Sequence, residues 1–162
     1  MRILWIVLAT LVFAGLLLIM AGQFGLLSGR QPGNLGVKDG KLKPPSRTEN
    51  SVSSQADLHK GTDALVDYAR IAPLAMQGDA AATMKKLETA VAAMAGAKVV
   101  EIRNDYLYVQ FSTRWLKFVD DVEFWISPTE NVVHVRSASR LGRKDFGVNR
   151  ARVEAVRAAL AR

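Results

Sequence analysis

The feature that most constrains the fold is a series of four segments that alternate apolar and polar residues and are separated by short turns. They cover residues 98–103, 106–113, 115–126 and 132–139. Alternation is clearest in the second segment, where Leu107, Val109 and Phe111 fall on one face. A period of two residues is typical of strands with one buried face, and short turns between consecutive strands predict antiparallel neighbours. The pattern therefore predicts a four-stranded antiparallel meander with one face that must be covered.

Two amphipathic segments can supply that cover. One begins after Asp79 and the other near Asn149, and both residue types are good N-caps. Apolar residues recur at helical spacing in both segments: Met84, Leu87, Val91 and Met94 in the first, and Val153, Val156 and Leu160 in the second. A shorter helix is predicted over residues 62–68. Residues 56–162 are therefore predicted to form a two-layer α+β domain, with two helices covering the sheet.

An apolar segment precedes this domain. Every residue but one from Ile3 to Ala21 is apolar or glycine, and the segment includes Trp5 and Phe13. Its length is close to the roughly 20 residues that cross a bilayer as a helix. It exceeds the roughly 7–15 residues of a secretory apolar region, and its one candidate cleavage site has a bulky residue where a small one is needed. We interpret residues 1–27 as a retained transmembrane anchor rather than a cleaved signal.

The basic residues around the span do not fix its orientation. Arg2 precedes the span, and Arg30, Lys38, Lys41 and Lys43 follow it, so the positive-inside rule gives nearly balanced sides. A short N-terminus before a first apolar helix is typical of a signal anchor and favours an N-terminus inside. We predict a single-pass protein of the inner membrane with its C-terminal domain on the periplasmic side.

Residues 28–55 connect the anchor to the domain. They are rich in glycine, proline, serine, asparagine and lysine and contain few apolar residues, which predicts an irregular tether. Two alternatives remain open from the sequence: a disordered linker, or an ordered extended arm that lies over the domain.

Charge and cysteine content limit the function. The formal net charge is +7 and the chain has no cysteine, which excludes disulfides, thiolate metal sites and a cysteine nucleophile. Nearly all the positive excess lies in residues 134–162. A concentrated positive field attracts anionic lipid, nucleic acid or an acidic partner, although such charges also simply solubilise helices.

The candidate ligand-binding residues lie in and after the last two predicted strands: Asp120, Asp121, Glu123, His134, Arg136, Ser137, Arg140, Asp145, Asn149 and Arg150. Alternation along a strand places Asp121 and Glu123 on one face and Asp120 on the other. On the next strand His134 and Arg136 share a face. Cross-strand opposition could therefore pair Glu123 or Asp121 with Arg136 or His134.

Three interpretations of these residues compete. The first is structural, because ion pairs often only fix loops and strands. The second, which we prefer, is a non-catalytic binding module. Residues 137–147 lead into the last helix, whose free N–H groups together with Arg136, Arg140 and Arg150 would suit an anion. The expected partners are the membrane and an anionic lipid, a phosphate or carboxylate ligand, or an envelope protein. Nucleic acid is not expected, since no nucleic-acid motif is present.

The third interpretation is a hydrolase-like or metal-dependent enzyme that uses Asp120, Asp121, Glu123 and His134 as acids, bases or ligands. The sequence contains no nucleophile elbow, phosphate loop or HExxH motif, and no paired metal-ligand spacing. We therefore predict no catalytic residue, no cofactor and no metal.

The same region resembles a known family. Residues 118–124 (FVDDVEF), 134–140 (HVRSASR) and 145–154 (DFGVNRARVE) resemble domain of unknown function 1499, found in bacteria and plastid-bearing organisms. Residues 42–44 and 50–55 resemble its entry segment. The family commonly has two cysteines at places that match Pro45 and Ser51. The resemblance implies a single envelope-associated domain, and a disulfide that this chain has lost, which would leave its tether looser.

Overall fold

The chain begins with a long helix and continues into an α+β domain in the computed structural model, which describes residues 1–162. The helices are α1 (Arg2–Gln23), α2 (Val66–Ala69), α3 (Ala80–Ala92) and α4 (Val148–Leu160), with a 3-10 helix at Ala56–His59. The strands are β1 (Ser51–Ser53), β2 (Leu74–Ala75), β3 (Ala97–Ile102), β4 (Tyr106–Ser112), β5 (Val119–Ser127) and β6 (Val132–Ser139).

All six strands form one antiparallel sheet in the order β1-β6-β5-β4-β3, and β2 also pairs with β6. The predicted meander is present as β3 to β6, but the sheet has six strands rather than four. The two additional strands contain three and two residues, which is too short for a period of two to be recognised in the sequence. The third predicted strand begins at Val119 rather than Trp115, because residues 113–118 form the loop between β4 and β5.

The two predicted helices cover one face of the sheet. Asp79 caps α3 as expected, and its carboxylate accepts from the N–H of Ala82 at 2.7 Å. Leu87 and Val91 of α3 and Val153 and Val156 of α4 pack in one apolar core against β4, β5 and β6. The predicted short helix is a single turn, α2, because Arg70 directly after it is extended and forms a β-bridge with Ser53.

The start of α4 differs from the prediction. The helix begins at Val148 after Gly147, whose φ is 83°, so Asn149 lies in the first turn and is not the N-cap. The carboxylate of Asp145 instead accepts from the N–H groups of Gly147 and Asn149, each at 3.0 Å. A carboxylate placed there satisfies free N–H groups and favours the positive end of the helix dipole.

Residues 28–50, which we call the arm, cross the other face of the sheet. Leu42 is buried against Tyr106, Tyr108 and Trp125 in a second, smaller apolar cluster. The side chain of Gln55 accepts from the Leu42 N–H at 2.8 Å and donates to the Gly40 carbonyl at 2.9 Å. Of the two alternatives for this segment, the structure therefore has the ordered arm, which continues directly into β1.

Helix α1 contacts the domain only near its C-terminal end, where Gly22 is its one buried residue. Its 18-residue apolar window has a mean hydropathy of 2.8, and none of that window is buried. A helix of this length and composition can cross a membrane, and a signal sequence near an N-terminus meets the same criteria.

Candidate functional site

The two sheet faces separate the three carboxylates of β5 as predicted. Asp121 and Glu123 point toward the arm, whereas Asp120 points toward the helices and accepts from Arg152 of α4 at 2.6 Å. The arm face therefore carries two buried carboxylates, and Asp120 is part of a different contact.

Glu123 and Arg136 lie directly opposite each other on β5 and β6, which is one of the cross-strand pairings that the sequence left open. Both side chains are buried, and Glu123 Oε2 lies 3.6 Å from Arg136 Nη1. The other carboxylate oxygen of Glu123 accepts from the Gly36 N–H at 2.7 Å and the Tyr106 hydroxyl at 2.9 Å. Arg136 Nε donates to the Pro44 carbonyl at 3.2 Å. The pair thus connects the sheet to two points of the arm.

This buried pair is incompletely hydrogen-bonded. Glu123 Oε2 and Arg136 Nη1 make no hydrogen bond, although both atoms are buried. Burial raises the pKa of Glu123, against the hydrogen bond from Gly36 and the attraction of Arg136. Burial also lowers the pKa of the Arg136 guanidinium, against the attraction of Glu123. Taking two charges out of water costs several kcal/mol each in effective terms, so a guanidinium with a free N–H here retains strong affinity for an acceptor.

Arg140 and Asp121 form a second pair beside the first. Arg140 donates to both carboxylate oxygens, with Nε–Oδ2 at 2.9 Å and Nη2–Oδ1 at 2.7 Å. The Tyr108 hydroxyl also donates to Asp121. The hydrogen bonds that Arg140 donates to Asp121 raise the pKa of Arg140. Burial, followed by the hydrogen bond to Asp121, raises the pKa of Tyr108 to about 12. Because the guanidinium fork is occupied by a carboxylate, Arg140 is held in place more firmly than Arg136.

A cavity of about 230 Å³ opens between the arm and these strands. We call it the arm cavity. Four cationic side chains and one carboxylate line it: Arg30, Lys43, Arg136, Arg140 and Asp121. The sequence did not identify Arg30 and Lys43 as site residues, because they belong to the segment predicted as a tether. Their only signal in the sequence was that they are basic residues following the apolar span.

A smaller cavity of about 190 Å³ adjoins the arm cavity and shares Lys43 and Pro44 with it. Lys38 and Lys41 of the arm line this cavity, and so does His59. His59 is buried, its Nε2 makes no hydrogen bond, and burial lowers its pKa. The underside of the arm is therefore positively charged along much of its length.

The predicted candidate residues do not all meet at this site. His134 stacks on Trp125 with ring centroids 5.5 Å apart and contacts Ser54 and Glu130. Its neighbour across the sheet is Trp125, two residues further along β5 than Glu123. The four residues of the enzyme alternative, Asp120, Asp121, Glu123 and His134, are thus divided between two sheet faces and several separate contacts. No three histidine, aspartate or glutamate side chains are grouped so that they could hold a metal ion.

Arg150 also lies apart from Arg136 and Arg140, which corrects the expected cluster of arginines. Arg150 is on α4, on the helix side of the sheet, and donates to the carbonyls of Arg70 at 2.9 Å and Tyr68 at 2.7 Å. The chain passes from the sheet to the helix layer between residues 140 and 148, so neighbours in the sequence end on opposite faces. The predicted anion site at the start of α4 is occupied by Asp145 itself.

Asn149 is the centre of a buried polar network that joins β1, β6 and α4. It is fully buried, and five residues hydrogen-bond to its side chain: Asn50, Ser137, Ser139, Asp145 and Arg152. Burial alone would raise the pKa of Asp145, but its hydrogen bonds from Tyr68, Gly147 and Asn149 together lower that pKa below its ordinary value. Ser137, Asp145 and Asn149 therefore hold the fold together on the helix side of the sheet.

Most of this chain matches the model of one protein family. A family model described as "Protein of unknown function (DUF1499)" matches residues 41–160, which include the second half of the arm and every strand. The chain belongs to the DUF1499 family. This finding confirms the resemblance seen in the sequence. No curated protein and no solved structure matches the chain.

In this DUF1499 domain a hydrogen bond lies close to the two positions at which the family commonly has cysteines. Pro45 and Ser51 occupy those positions, and the Ser51 hydroxyl accepts from the N–H of Ser46 at 2.8 Å. A hydrogen bond thus joins the end of the arm to β1 where the resemblance implies a disulfide. That the arm is looser than in cysteine-containing relatives stays a prediction.

Proposed function

We propose that this DUF1499 protein is a membrane-anchored, non-catalytic binding module whose arm cavity takes the phosphate or carboxylate group of an anionic ligand. The observation that carries the proposal is Arg136. Its side chain is only 5 % exposed and lines the arm cavity, and its Nη1, although 3.6 Å from Glu123 Oε2, makes no hydrogen bond within the protein. Buried donors are normally paired, so an unpaired guanidinium N–H beside a cavity favours an acceptor that enters from outside.

The charges and size of the cavity suit such a group. Arg30 and Lys43 of the arm line it opposite Arg136 of the sheet, so cations border the cavity on two sides. The Lys43 ammonium also donates to Asn34 Oδ1 at 2.7 Å. Arg140 is neutralised by Asp121 and acts mainly to hold the wall. A water molecule takes a share of about 30 Å³ in the liquid. A cavity of about 230 Å³ therefore has room for a phosphate or a carboxylate with some water, and not for a whole lipid.

The membrane part of the proposal rests on α1. The exposed apolar surface of this helix would be unfavourable in water over its whole length. A retained span in the inner membrane buries that surface in lipid and leaves the domain on the periplasmic side. The cavity would then lie close to phospholipid headgroups, which carry the phosphate chemistry that it suits.

The test removes the two cations that the arm contributes. We expect the double variant Arg30→Gln with Lys43→Gln to fold normally, since neither residue is fully buried, and to bind a phosphate probe at least about tenfold more weakly. Hydrogen bonds to charged groups contribute about 1.5–3 kcal/mol, and about 1.4 kcal/mol corresponds to tenfold in affinity. Binding is measured calorimetrically on the full chain in phosphatidylcholine nanodiscs. The probes are inorganic phosphate and, separately, a soluble short-chain phosphatidic acid.

The matched control is the double variant Lys86→Gln with Arg162→Gln, which makes the same change in charge on the α3 side and at the C-terminal residue. It should bind both probes as the natural chain does. Tighter binding of the short-chain lipid would identify a headgroup as the source of the phosphate, and tighter binding of inorganic phosphate would identify a free anion. The proposal is wrong if neither probe binds, or if both double variants lose binding equally.

A further inference from the structure

We infer that the loop between β4 and β5, residues 113–118, is a second contact with the membrane, which holds the domain in a fixed orientation on the bilayer. The partner is the phospholipid interface around α1, and the inference rests on the proposed role of α1 as a membrane anchor. It adds to that role a surface whose sequence indicates only part of a strand.

The loop is packed tightly against the end of α1. A Cβ atom added at Gly22 would lie 2.5 Å from the carbonyl oxygen of Leu116, so only glycine permits this approach. The next residue, Gln23, donates its side-chain N–H to the carbonyls of Trp115 at 2.8 Å and Arg114 at 3.4 Å. The domain is thus joined to the helix by direct contacts as well as through the chain.

This contact lies at the level where α1 would leave the hydrocarbon. An α-helix rises about 1.5 Å per residue, so the apolar segment from Ile3 to Ala21 matches a hydrocarbon core about 30 Å thick. Gly22 and Gln23 follow that segment directly. The loop bound to them is therefore placed at the bilayer surface, beside the headgroups.

The side chains of the loop suit that depth. Trp115 is 59 % exposed and Phe118 is 38 % exposed, and tryptophan is enriched at membrane–water interfaces. The Arg114 guanidinium lies 4.9 Å from the centre of the Trp115 ring. Together with Lys117, it can direct its charge toward phosphates while its aliphatic part stays near lipid. Aromatic and basic side chains in one short loop complement an anionic lipid surface.

Two further aromatic side chains are strongly exposed at the same end of the sheet, whereas at the other end Ile102, the last residue of β3, is 45 % exposed. Phe24 at the end of α1 is 79 % exposed, and Phe146 in the loop before α4 is 92 % exposed. The antiparallel order places the β3–β4 and β5–β6 turns at the opposite end, and these turns consist of residues 103–105 and 128–131, which are polar apart from Pro128. The larger exposed apolar side chains therefore gather at the end of the sheet that adjoins α1, and such a patch is typical of a surface with a partner.

The chain has no cysteine, so single cysteines can carry a nitroxide label at chosen positions. The full chain is placed in nanodiscs of equal parts phosphatidylcholine and phosphatidylglycerol, with the label at Trp115→Cys. Reference labels are Phe13→Cys in the middle of α1 and Thr129→Cys in the β5–β6 turn. A further label at Phe118→Cys leaves Trp115 in place. Accessibility is measured to oxygen, which concentrates in lipid, and to a nickel chelate, which stays in water.

We expect the labels at positions 115 and 118 to be several-fold less accessible to the nickel chelate, and more accessible to oxygen, than the label at 129. The inference is overturned if positions 115 and 118 resemble position 129 while position 13 is in lipid; in that case the anchor itself stands. If position 13 is also exposed to the chelate, α1 is not in the bilayer, and the proposed anchoring fails together with the loop contact.

Discussion

Replacing Arg136 with methionine is expected to lower the free energy of unfolding by about 3–5 kcal/mol, because it leaves Glu123 buried without its cation. Methionine keeps most of the volume of the side chain, so the loss reports charge and hydrogen bonding rather than a cavity. The hydrogen bond from Arg136 to the Pro44 carbonyl is lost as well, which also weakens the attachment of the arm. The free energy is measured by urea unfolding of the full chain in nanodiscs, followed by tryptophan fluorescence.

The control for this prediction is the double variant Glu123→Gln with Arg136→Met. Replacing both members of a buried ion pair is often close to neutral, whereas removing one partner is costly. The double variant should therefore be more stable than Arg136→Met alone. If Arg136→Met unfolds at the same urea concentration as the natural chain, the pair does not hold the arm to the sheet.

Replacing Asn149 with alanine is expected to cost at least about 3 kcal/mol of folding free energy, since each buried polar group left without a partner costs about 1–3 kcal/mol. The substitution removes the acceptor of the Ser137 hydroxyl and the donor to the Asn50 carbonyl, both within the protein interior. The lost hydrogen bonds are those that link α4 to β6 and to the residue before β1.

Asn104→Ala is the matched control for Asn149→Ala, because Asn104 is exposed in the β3–β4 turn. Substitutions at such surface sites usually change stability by less than about 0.5 kcal/mol. Urea unfolding of both variants under the same conditions gives the comparison. If the two variants have the same free energy of unfolding, the hydrogen bonds of Asn149 do not stabilise the fold.

The paired strands could be predicted because their signal is local. Alternation with a period of two placed Asp121 and Glu123 on one face and Asp120 on the other, and turn lengths set the order of neighbours. The sequence left open whether Glu123 or Asp121 would pair with Arg136 or His134, and the register of β5 and β6 selects Glu123 with Arg136. Local signals of another kind, apolar residues at helical spacing and a capping residue, likewise predicted α3 and its N-cap Asp79.

The arm could not be predicted because it has no period of its own. Its buried leucine, Leu42, is surrounded in the sequence by lysines and prolines, and the sheet residues that it packs against, Tyr106, Tyr108 and Trp125, are more than sixty positions away. Nothing local to Arg30 or Lys43 indicates that they face Arg136. Their role depends on a chain path that only the folded structure defines.

The arginine cluster was mispredicted for a different reason. Arg140 and Arg150 are close in sequence, but the chain crosses from the sheet to the helix layer between them, and their partners lie on opposite sides. Distance along the chain indicates nearness in space only within one element. The resulting division assigns Arg136 and Arg140 to the arm cavity and Arg150 to the attachment of α4.

The most direct test of the account is nuclear magnetic resonance of the arginine side chains during a titration with inorganic phosphate. The full chain carries ¹⁵N-labelled arginine and is held in phosphatidylcholine nanodiscs. The account predicts that the guanidinium signals of Arg136 and Arg30 shift and saturate together, while those of Arg150 do not move. An Arg136 signal that stays unchanged up to saturating phosphate, or a shift confined to Arg150, would contradict it.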